Sequence, residues 1–420
     1  MHEFRYKGNE LYCEGVKISR IAKRFDTPLY IYSRKTLIDH YRKIKKAFSA
    51  IRPLICFSVK ANSNLAVLKV LANQSAGMDV VSGGELYRAL KVGVAPQRIV
   101  YAGVGKREQE IALAIKAGIL LFNAESFAEL GLIERAAGRL RKKVDVSLRI
   151  NPDVEIHTHR FITTGRMINK FGLDIRTAEE IFLRSRIFSH LNLVGVHIHI
   201  GSQITEGRPF VLAIKKALHL IKRLKSKGVQ LKYFNIGGGL GIVYRNERPQ
   251  TADEFAQAVL PLLKETKLKI ILEPGRFIAG NSGILLTKVV YVKKTPKKNF
   301  AIVDAGMNDL IRPALYGAYH EILPVVRAKD KAERKVRYDV VGPICESGDF
   351  LAQGRDMPIV QAGDLLAVMS SGAYGFVMSS NYNSRPRVAE VLIDKNKVSL
   401  VRKRESYRDL IRAEVIPKGL

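Results

Sequence analysis

Short apolar runs, rich in β-branched residues, recur through the first two thirds of the chain. Gly, Ser or Asn usually follows each run, and apolar residues then return at steps of three and four, as in a helix packed on one face. About eight such units are the number that closes a parallel barrel surrounded by helices. The predicted strands are residues 54–59, 78–81, 99–102, 119–123, 144–150, 193–200, 233–236 and 269–272, and the predicted helices include 82–92, 106–117, 126–137 and 210–227.

After residue 276 the helical period fades and strand-like segments separated by turns take over. They include residues 285–293, 300–304, 335–341 and 365–370, and a hairpin formed by 388–393 and 398–404. We therefore predict an α/β chain whose (β/α)8 barrel spans 31–276 and whose second, mostly β domain spans 277–420. Short strands at 4–6 and 11–13 predict that residues 1–30 join this second domain.

The length and composition are those of a globular protein. A chain of 420 residues is too long for one ordinary core, and 47% hydrophobic with 26% charged residues is not a disordered composition. Apolar runs such as 119–122 are too short for a membrane span, and the N-terminus has no apolar signal core. Three widely separated cysteines predict neither a disulfide framework nor a zinc site and favour a reducing cytoplasm.

The net charge is unusually high. Seventy Lys and Arg residues against 39 Asp and Glu residues give a formal charge of +31. The basic residues are scattered over short groups, at 139–143, 222–227, 293–298 and 334–337, rather than forming a stripe interleaved with aromatic residues. This distribution favours a solvated surface without a specific nucleic-acid partner, and the alternative is weak attraction of polyanions or steering of anionic substrates.

Chemically capable residues stand where the predicted barrel strands end. Active-site residues of such barrels lie at the C-terminal ends of the strands. These positions hold an amine, an imidazole, a glycine run and a carboxylate, namely Lys60, Asp79, Asn151, His199 with Ser202, Gly237, Gly238, Gly239, Glu273 and Arg276.

Each of these features has an ordinary structural interpretation when it is taken alone. A strand-end lysine commonly points to solvent, although a buried one is a nucleophile toward aldehydes. A glycine run is often only a turn, although its N–H groups can also bind phosphate. His197 and His199 alternate on one strand face, but no third metal ligand stands at a convincing spacing. Glu273 could pair with its own Arg276 in a turn.

Taken together, the motifs resemble the barrel-type pyridoxal-phosphate decarboxylases, and most closely the diaminopimelate decarboxylase family. The resemblance covers nearly the whole chain in the expected order, and several spaced motifs are more specific than any one of them. Besides Lys60, the motifs are residues 79–86, 157–165, 170–172, 199–202, 237–239, 273–276, 312–316, 342–349 and 371–376.

The resemblance implies an alanine racemase-like barrel and assigns residues to a pyridoxal 5′-phosphate cofactor. Lys60 corresponds to the lysine that holds the cofactor as a Schiff base, His199 to the imidazole on its ring face, and Glu273 to the partner of its ring nitrogen. The phosphate contacts correspond to Ser202, Gly237, Gly238, Gly239, Gly275, Arg276 and Tyr374, with Pro274 in the same turn.

The resemblance also implies how the substrate is recognised. Arg276, Arg312 and Tyr316 correspond to the group that binds its distal carboxylate, Glu346 receives its distal ammonium, and Tyr374 contacts it as well. Cys345 corresponds to the proton donor, and in the family Cys345 and Glu346 reach the site of the other subunit of a homodimer. The implied reaction is decarboxylation of meso-2,6-diaminopimelate to L-lysine and CO2, the last step of lysine biosynthesis.

Two other functions stay open at this level. The chain could decarboxylate ornithine, arginine or carboxynorspermidine, although Arg312 with Tyr316 favours a substrate that has a distal carboxylate. It could also be a non-catalytic binder of pyridoxal phosphate with a regulatory role. Such a protein could lose the lysine or the acid, whereas Lys60, Glu273 and Cys345 are all present here.

Overall fold

The computed structural model describes residues 2–154, 170–327 and 334–420. Its contacts divide the chain into two compact units. The barrel unit comprises Ile38–Val243 and Glu247–Ile278, and the sheet unit comprises Met1–Leu37, Tyr244–Asn246 and Ala279–Leu420. The sheet unit is thus built from both ends of the sequence. The motif at 157–165 lies outside the described residues.

The N-terminal segment contributes its four strands and its first helix to the sheet unit, whereas its second helix lies mostly in the barrel unit. Strands β1, β2 and β3 form a small antiparallel sheet in that order, which confirms the strands expected near residues 4–6 and 11–13. The elements are β1 (Phe4–Lys7), β2 (Glu10–Cys13), β3 (Val16–Lys17), α1 (Ile18–Phe25), β4 (Leu29–Ser33) and α2 (Arg34–Ala47).

Eight parallel strands close into the predicted barrel, in the order β10-β11-β12-β5-β6-β7-β8-β9. They are β5 (Leu54–Ser58), β6 (Gly77–Val80), β7 (Ile99–Tyr101), β8 (Leu121–Ala124), β9 (Val144–Ile150), β10 (Leu191–Ile198), β11 (Tyr233–Asn235) and β12 (Lys269–Leu272). The helices are α3 (Leu65–Ala72), α4 (Gly83–Lys91), α5 (Glu108–Ala117), α6 (Phe127–Arg139), α7 (Ile175–Leu183), α8 (Arg208–Ser226), α9 (Ala252–Lys264) and α10 (Arg276–Ala279).

Burial explains why these short runs become parallel strands. Every residue of β6 and β8 is buried, as expected where helices cover one face of a sheet and the barrel interior the other. Side-chain caps begin several helices: the Ser82 and Ser126 hydroxyls accept from the N–H groups of Glu85 and Glu129. Such caps satisfy N–H groups that the first turn leaves without helical partners.

The C-terminal segment completes a nine-stranded mixed sheet. Seven strands follow the order β17-β16-β14-β13-β4-β19-β20, while β18 pairs with β13 and β15. The added elements are β13 (Gly283–Lys294), β14 (Asn299–Val303), α11 (Arg312–Tyr316), β15 (Ile322–Pro324), β16 (Lys335–Val341), β17 (Phe350–Pro358), β18 (Leu365–Val368), β19 (Ala389–Asp394), β20 (Lys397–Arg402) and α12 (Tyr407–Ile411).

Strand β4 lies in the middle of this sheet, antiparallel to β13 and parallel to β19. Its Leu29 and Ile31 pack in one buried cluster with Ile284, Leu286 and Val391. Truncating a fully buried isoleucine or leucine costs about 2–5 kcal/mol of stability. The N-terminal strand therefore helps to hold the C-terminal strands together.

The strands predicted after residue 276 are confirmed, but β15 and β17 in that region, and β3 and β4 before the barrel, were missed. In β17 buried and exposed positions do not alternate, and charged residues and Gly354 interrupt the run. In β4 all five residues are buried, so the alternation that marks a half-exposed strand is absent from it.

Candidate active site

Lys60 follows β5 within a short 3₁₀ turn, Val59–Ala61. Its Nζ lies 3.1 Å from Oδ2 of Asp79, whose side chain is fully buried while that of Lys60 is 36% exposed. The Ser58 hydroxyl donates to the same oxygen at 2.8 Å. Burial and the nearby Glu273 carboxylate raise the pKa of Asp79, against the opposing effect of Lys60. Asp79 therefore orients an amine that stays partly accessible to a reactant.

Glu273 follows β12 and is buried among polar side chains. Its Oε1 accepts hydrogen bonds from Nδ2 of Asn235 at 2.6 Å and of Asn123 at 3.2 Å. Its Oε2 lies 3.3 Å from Nε2 of His197. Burial by itself would raise the pKa of Glu273, but His197, Lys60 and Asn235 outweigh it and lower the pKa to about 2. The barrel thus contains a carboxylate that stays ionised.

Sequence reasoning did not identify Asn123 and Asn235, and it treated His197 only as half of a metal pair. All three interrupt apolar strands with polar side chains, which is the signal that could have revealed them. The structure brings His197 to Glu273 and His199 to the glycine turn. Among the residues that the structure describes, no group of three or more His, Cys, Asp or Glu side chains could hold a metal ion.

His199 lies against the turn that follows β11. Its Nδ1 accepts from the N–H of Gly238 at 3.3 Å. Burial first, and then the charges of Arg149 and Lys60, lower the pKa of His199 well below its usual value. A ring that accepts at Nδ1 and is difficult to protonate is a neutral imidazole. It can therefore pack flat against an aromatic ring without adding charge.

The glycine turn has no space for side chains. Gly237 has φ +69° and Gly239 has φ +116°, values that L side chains rarely adopt. A Cβ atom on Gly238 would collide with the carbonyl oxygen of Glu273. The turn therefore brings bare backbone to the end of the barrel, as anion-binding loops do.

Arg276 begins α10, three residues after Glu273, and is buried. Its Nε and Nη2 donate to the hydroxyl of Ser202 at 3.2 and 3.1 Å. The structure thus brings together two residues that the sequence assigned to one phosphate site. A guanidinium and a hydroxyl are both donors suited to phosphate oxygens.

Arg312 lies at the start of α11 in the sheet unit and is buried. Its Nη1 lies 2.8 Å from Nε2 of His320, and Nδ1 of that ring lies 2.8 Å from the carbonyl oxygen of Met369. His320 must donate to the carbonyl, so it accepts from Arg312 and is neutral. The Arg312 guanidinium also lies 4.8 Å from the ring centre of Tyr244. These contacts fix its plane.

The loop at 342–349 carries two of the predicted site residues, and both are exposed. The N–H of Cys345 donates to Oδ1 of Asn383 at 2.8 Å. A hydrogen bond with Glu346 is the main cause that raises the pKa of Tyr382. Tyr316 and Tyr374 are half-buried in the same unit. The sheet unit therefore carries Cys345 and Glu346 on an exposed loop, in contrast to the buried Arg312 of α11.

Asp349, which sequence reasoning had not singled out, joins two loops of the sheet unit. Its Oδ1 accepts from the N–H of Met307 and its Oδ2 from that of Ile344, both at 2.6 Å. A Cβ atom on Gly306 or Gly342 would press against this carboxylate. We refer to these contacts as the Asp349 clasp. It ties the segment that leads to α11 to the loop of Cys345.

Residues 34–280 match the model of the pyridoxal binding domain of pyridoxal-dependent decarboxylases. None of the helices in the described ranges combines the length and apolar character that a membrane crossing requires. The match spans the strand ends that carry the amine, the glycine turn and the ionised carboxylate. The chain is therefore a pyridoxal-dependent decarboxylase.

Full-length relatives narrow this assignment. The chain is 50% identical to the diaminopimelate decarboxylase of Pseudomonas aeruginosa (strain PAO1) over 414 residues, 99% of each chain. It is 50% identical to that of Aquifex aeolicus (strain VF5) over 403 residues, which are 96% of this chain and 95% of the other. It thus belongs to the diaminopimelate decarboxylase family.

A solved structure agrees with this assignment. The diaminopimelate decarboxylase of Helicobacter pylori complexed with L-lysine superposes with a TM-score of 0.90 at 42% identity, covering 94% of this chain and 98% of that one. The predicted fold class and the predicted family are confirmed. The roles assigned to individual site residues remain predictions.

Proposed function

We propose that this chain removes CO2 from meso-2,6-diaminopimelate and releases L-lysine, the last step of lysine biosynthesis. The observation that carries the proposal is the 50% identity to diaminopimelate decarboxylases over almost the whole of both chains. An enzyme that shares only the barrel would not be expected to match through the sheet unit as well. Arg312 and the loop of Cys345 lie in that second unit.

The residues present fit pyridoxal 5′-phosphate. This cofactor requires an amine, an anionic partner for its ring nitrogen and donors for its phosphate. Lys60 supplies the amine, and Glu273 stays ionised despite its burial. Arg276, Ser202 and the bare glycine turn supply the donors. The residues that would hold the cofactor are Lys60, His199, Ser202, Gly237, Gly238, Gly239, Glu273, Pro274, Gly275, Arg276 and Tyr374.

When bound, the cofactor accepts the electron pair that departing CO2 leaves on the α-carbon. In this proposal Nζ of Lys60 binds the cofactor, and Asp79 orients that nitrogen. Glu273 holds the proton on the ring nitrogen, and neutral His199 packs against the ring face. Sγ of Cys345 donates the proton that the α-carbon needs after CO2 has left.

Recognition of the substrate rests on charges held at its far end. Arg312 is suited to bind the distal carboxylate, because its contacts to His320 and Tyr244 fix the guanidinium plane and a fixed plane favours bidentate binding. We assign Tyr316 and Arg276 to the same carboxylate. Glu346 receives the distal ammonium, and Tyr374 is a further substrate contact.

We also propose that the chain works as a homodimer. Cys345 and Glu346 are exposed in the single chain, yet proton donation to a reactive carbon is favoured where water is excluded. A second copy that covers this loop would bury both residues and would let each subunit complete the site of the other.

CO2 release from meso-diaminopimelate, ornithine, arginine, D-lysine and carboxynorspermidine tests the function. A site built to bind a polar group rejects an analogue without that group by about 10⁴-fold. D-lysine keeps the reacting α-carbon and lacks only the distal carboxylate, so we expect kcat/KM for meso-diaminopimelate to exceed that for D-lysine by about this factor. Faster turnover of ornithine, arginine or carboxynorspermidine would overturn the choice of substrate. Cofactor binding without any CO2 release would favour the regulatory alternative.

A further inference from the structure

His197 lies beside Glu273, but the proposed reaction gives this histidine no role. We propose that His197 is a positioning residue, which holds Glu273 so that one side of its Oε2 stays directed to the protonated ring nitrogen of pyridoxal phosphate. The inference rests on the proposed function, because it assumes that this cofactor binds at Lys60. It concerns the contacts within the barrel that keep the carboxylate in place.

Counting acceptor sites shows what His197 adds. A carboxylate has two oxygens, each with about two lone-pair directions. Asn235 and Asn123 both donate to Oε1. His197 faces Oε2 at 3.3 Å, although its N–H alignment is poorer than that of a full hydrogen bond. One direction on Oε2 then remains for a further donor, and a pyridine N–H is such a donor.

The position of His197 makes it suited to orient its neighbour. It lies in β10, where it is paired in register with Asn235 of β11 and with Arg149 of β9. Its side chain is 1% exposed. A strand held on both sides in a closed barrel has little freedom to move, so the imidazole fixes the direction in which the carboxylate points.

A second buried carboxylate makes the histidine more important. Asp79 is fully buried in the same barrel, and Glu273 is among the causes that raise the pKa of Asp79. Burial alone would favour a neutral Glu273, and His197 is the largest of the influences that keep it ionised beside Asp79. A neutral carboxylic acid could not hold the ring proton in the same way. Loss of His197 should therefore weaken the hold on that proton.

The ¹⁵N chemical shift of the ring nitrogen tests this directly, in full-length enzyme loaded with ¹⁵N-labelled pyridoxal phosphate. A protonated pyridine nitrogen and a bare one differ widely in shift. We expect wild type and His197→Gln, which keeps an N–H donor, to show the protonated signal. His197→Leu should lose the ring proton at lower pH. Its kcat should fall by about 10- to 100-fold, the range seen when a neighbour that orients a catalytic group is removed.

His190→Leu is the matched control, because His190 pairs with Glu134 at 2.9 Å on the outside of the barrel unit. Its ring-nitrogen signal should equal that of wild type. Should His197→Leu fail to fold, His197→Asn makes the same test, since its amide is too short to reach Oε2. An unchanged ring signal in the folded donor-less variant would refute the inference and leave the proposed function intact. A wild-type chain that binds no pyridoxal phosphate would refute the proposed function instead.

Discussion

The barrel unit and the loop of Cys345 in the sheet unit present their polar side chains in opposite ways. In the barrel unit, Asp79 and Glu273 are buried and contact partners on neighbouring strands. In the sheet unit, Cys345 and Glu346 are exposed on a loop that backbone hydrogen bonds hold in place. The first arrangement is complete within one chain. The second is uncovered in the single chain, which agrees with the homodimer that we propose.

The largest effect is expected from Lys60→Ala, which removes the one lysine assigned to the cofactor. The visible absorbance band of lysine-bound cofactor should disappear, and activity should fall by roughly 10⁴-fold or more, as when a covalent nucleophile is lost. Absorbance spectra and CO2 release measure both. Lys222→Ala, at an exposed lysine, should change neither. A Lys60→Ala protein with an unaltered spectrum would contradict the assignment of the cofactor to the barrel unit.

Cys345→Ala should slow the reaction without loss of the cofactor. Because Cys345 lies in the sheet unit, the cofactor spectrum should persist while kcat falls by about 10²- to 10⁴-fold, the usual contribution of a positioned proton donor. Single-turnover CO2 release and the absorbance spectrum provide the comparison. Loss of the cofactor band in Cys345→Ala would show that the loop also serves cofactor binding.

Arg312→Lys should affect recognition more than chemistry. Lysine keeps the positive charge but not the planar, bidentate geometry. We expect kcat/KM for meso-diaminopimelate to fall by roughly 10- to 100-fold, since a hydrogen bond to a charged group contributes about 1.5–3 kcal/mol. Steady-state kinetics measure this, and an unchanged KM would refute the role in substrate binding.

Asp349→Asn should loosen the exposed loop without touching the barrel unit. Losing one acceptor of the Asp349 clasp leaves a backbone N–H without its partner, which costs about 1–3 kcal/mol. Cys13 and Cys56 are buried, so Cys345 is the only exposed thiol of the three and a thiol reagent reports on its loop. Its reaction should be severalfold faster in the variant. The control is Asp339→Asn in the same unit, which should leave the rate of thiol modification unchanged. Equal modification rates in the two variants would show that the Asp349 clasp does not order the loop.

The smallest effect concerns pH, and it belongs to the barrel unit. Burial raises the pKa of Glu85 from 4.5 to about 7. Between these values the folded chain keeps a proton that the unfolded chain releases, so this group makes stability fall as pH rises from about 4.5 to 7. Glu85→Gln should remove up to about 3 kcal/mol of that decline. Denaturation with urea at pH 5 and pH 8 measures it, and parallel pH profiles for wild type and variant would contradict the prediction.

The sequence was most informative where function requires particular residues at strand ends. Lys60, the glycine turn and Glu273 could be predicted because a parallel barrel places its active residues at one end of its strands. The isolated polar residues Asn123 and Asn235 could have been noticed in their apolar runs, but their contact with Glu273 could not be predicted because it depends on how the barrel closes. Asp349 was hidden for a similar reason, since the donors to its carboxylate are backbone N–H groups, which carry no sequence signal. Strand β4 lacks alternation because it is buried throughout.

The central position of β4 also bears on how the protein is made. The ribosome releases Leu29–Ser33 early, but β13 and β19 appear only after about 250 and 355 further residues. At translation rates of roughly 5–20 residues per second, β4 waits for at least about 12 s without either neighbour. An apolar strand with open edges is an aggregation hazard. All elements of the barrel unit have been synthesised by residue 278, whereas β4 must stay soluble until the C-terminal strands of the sheet unit are made.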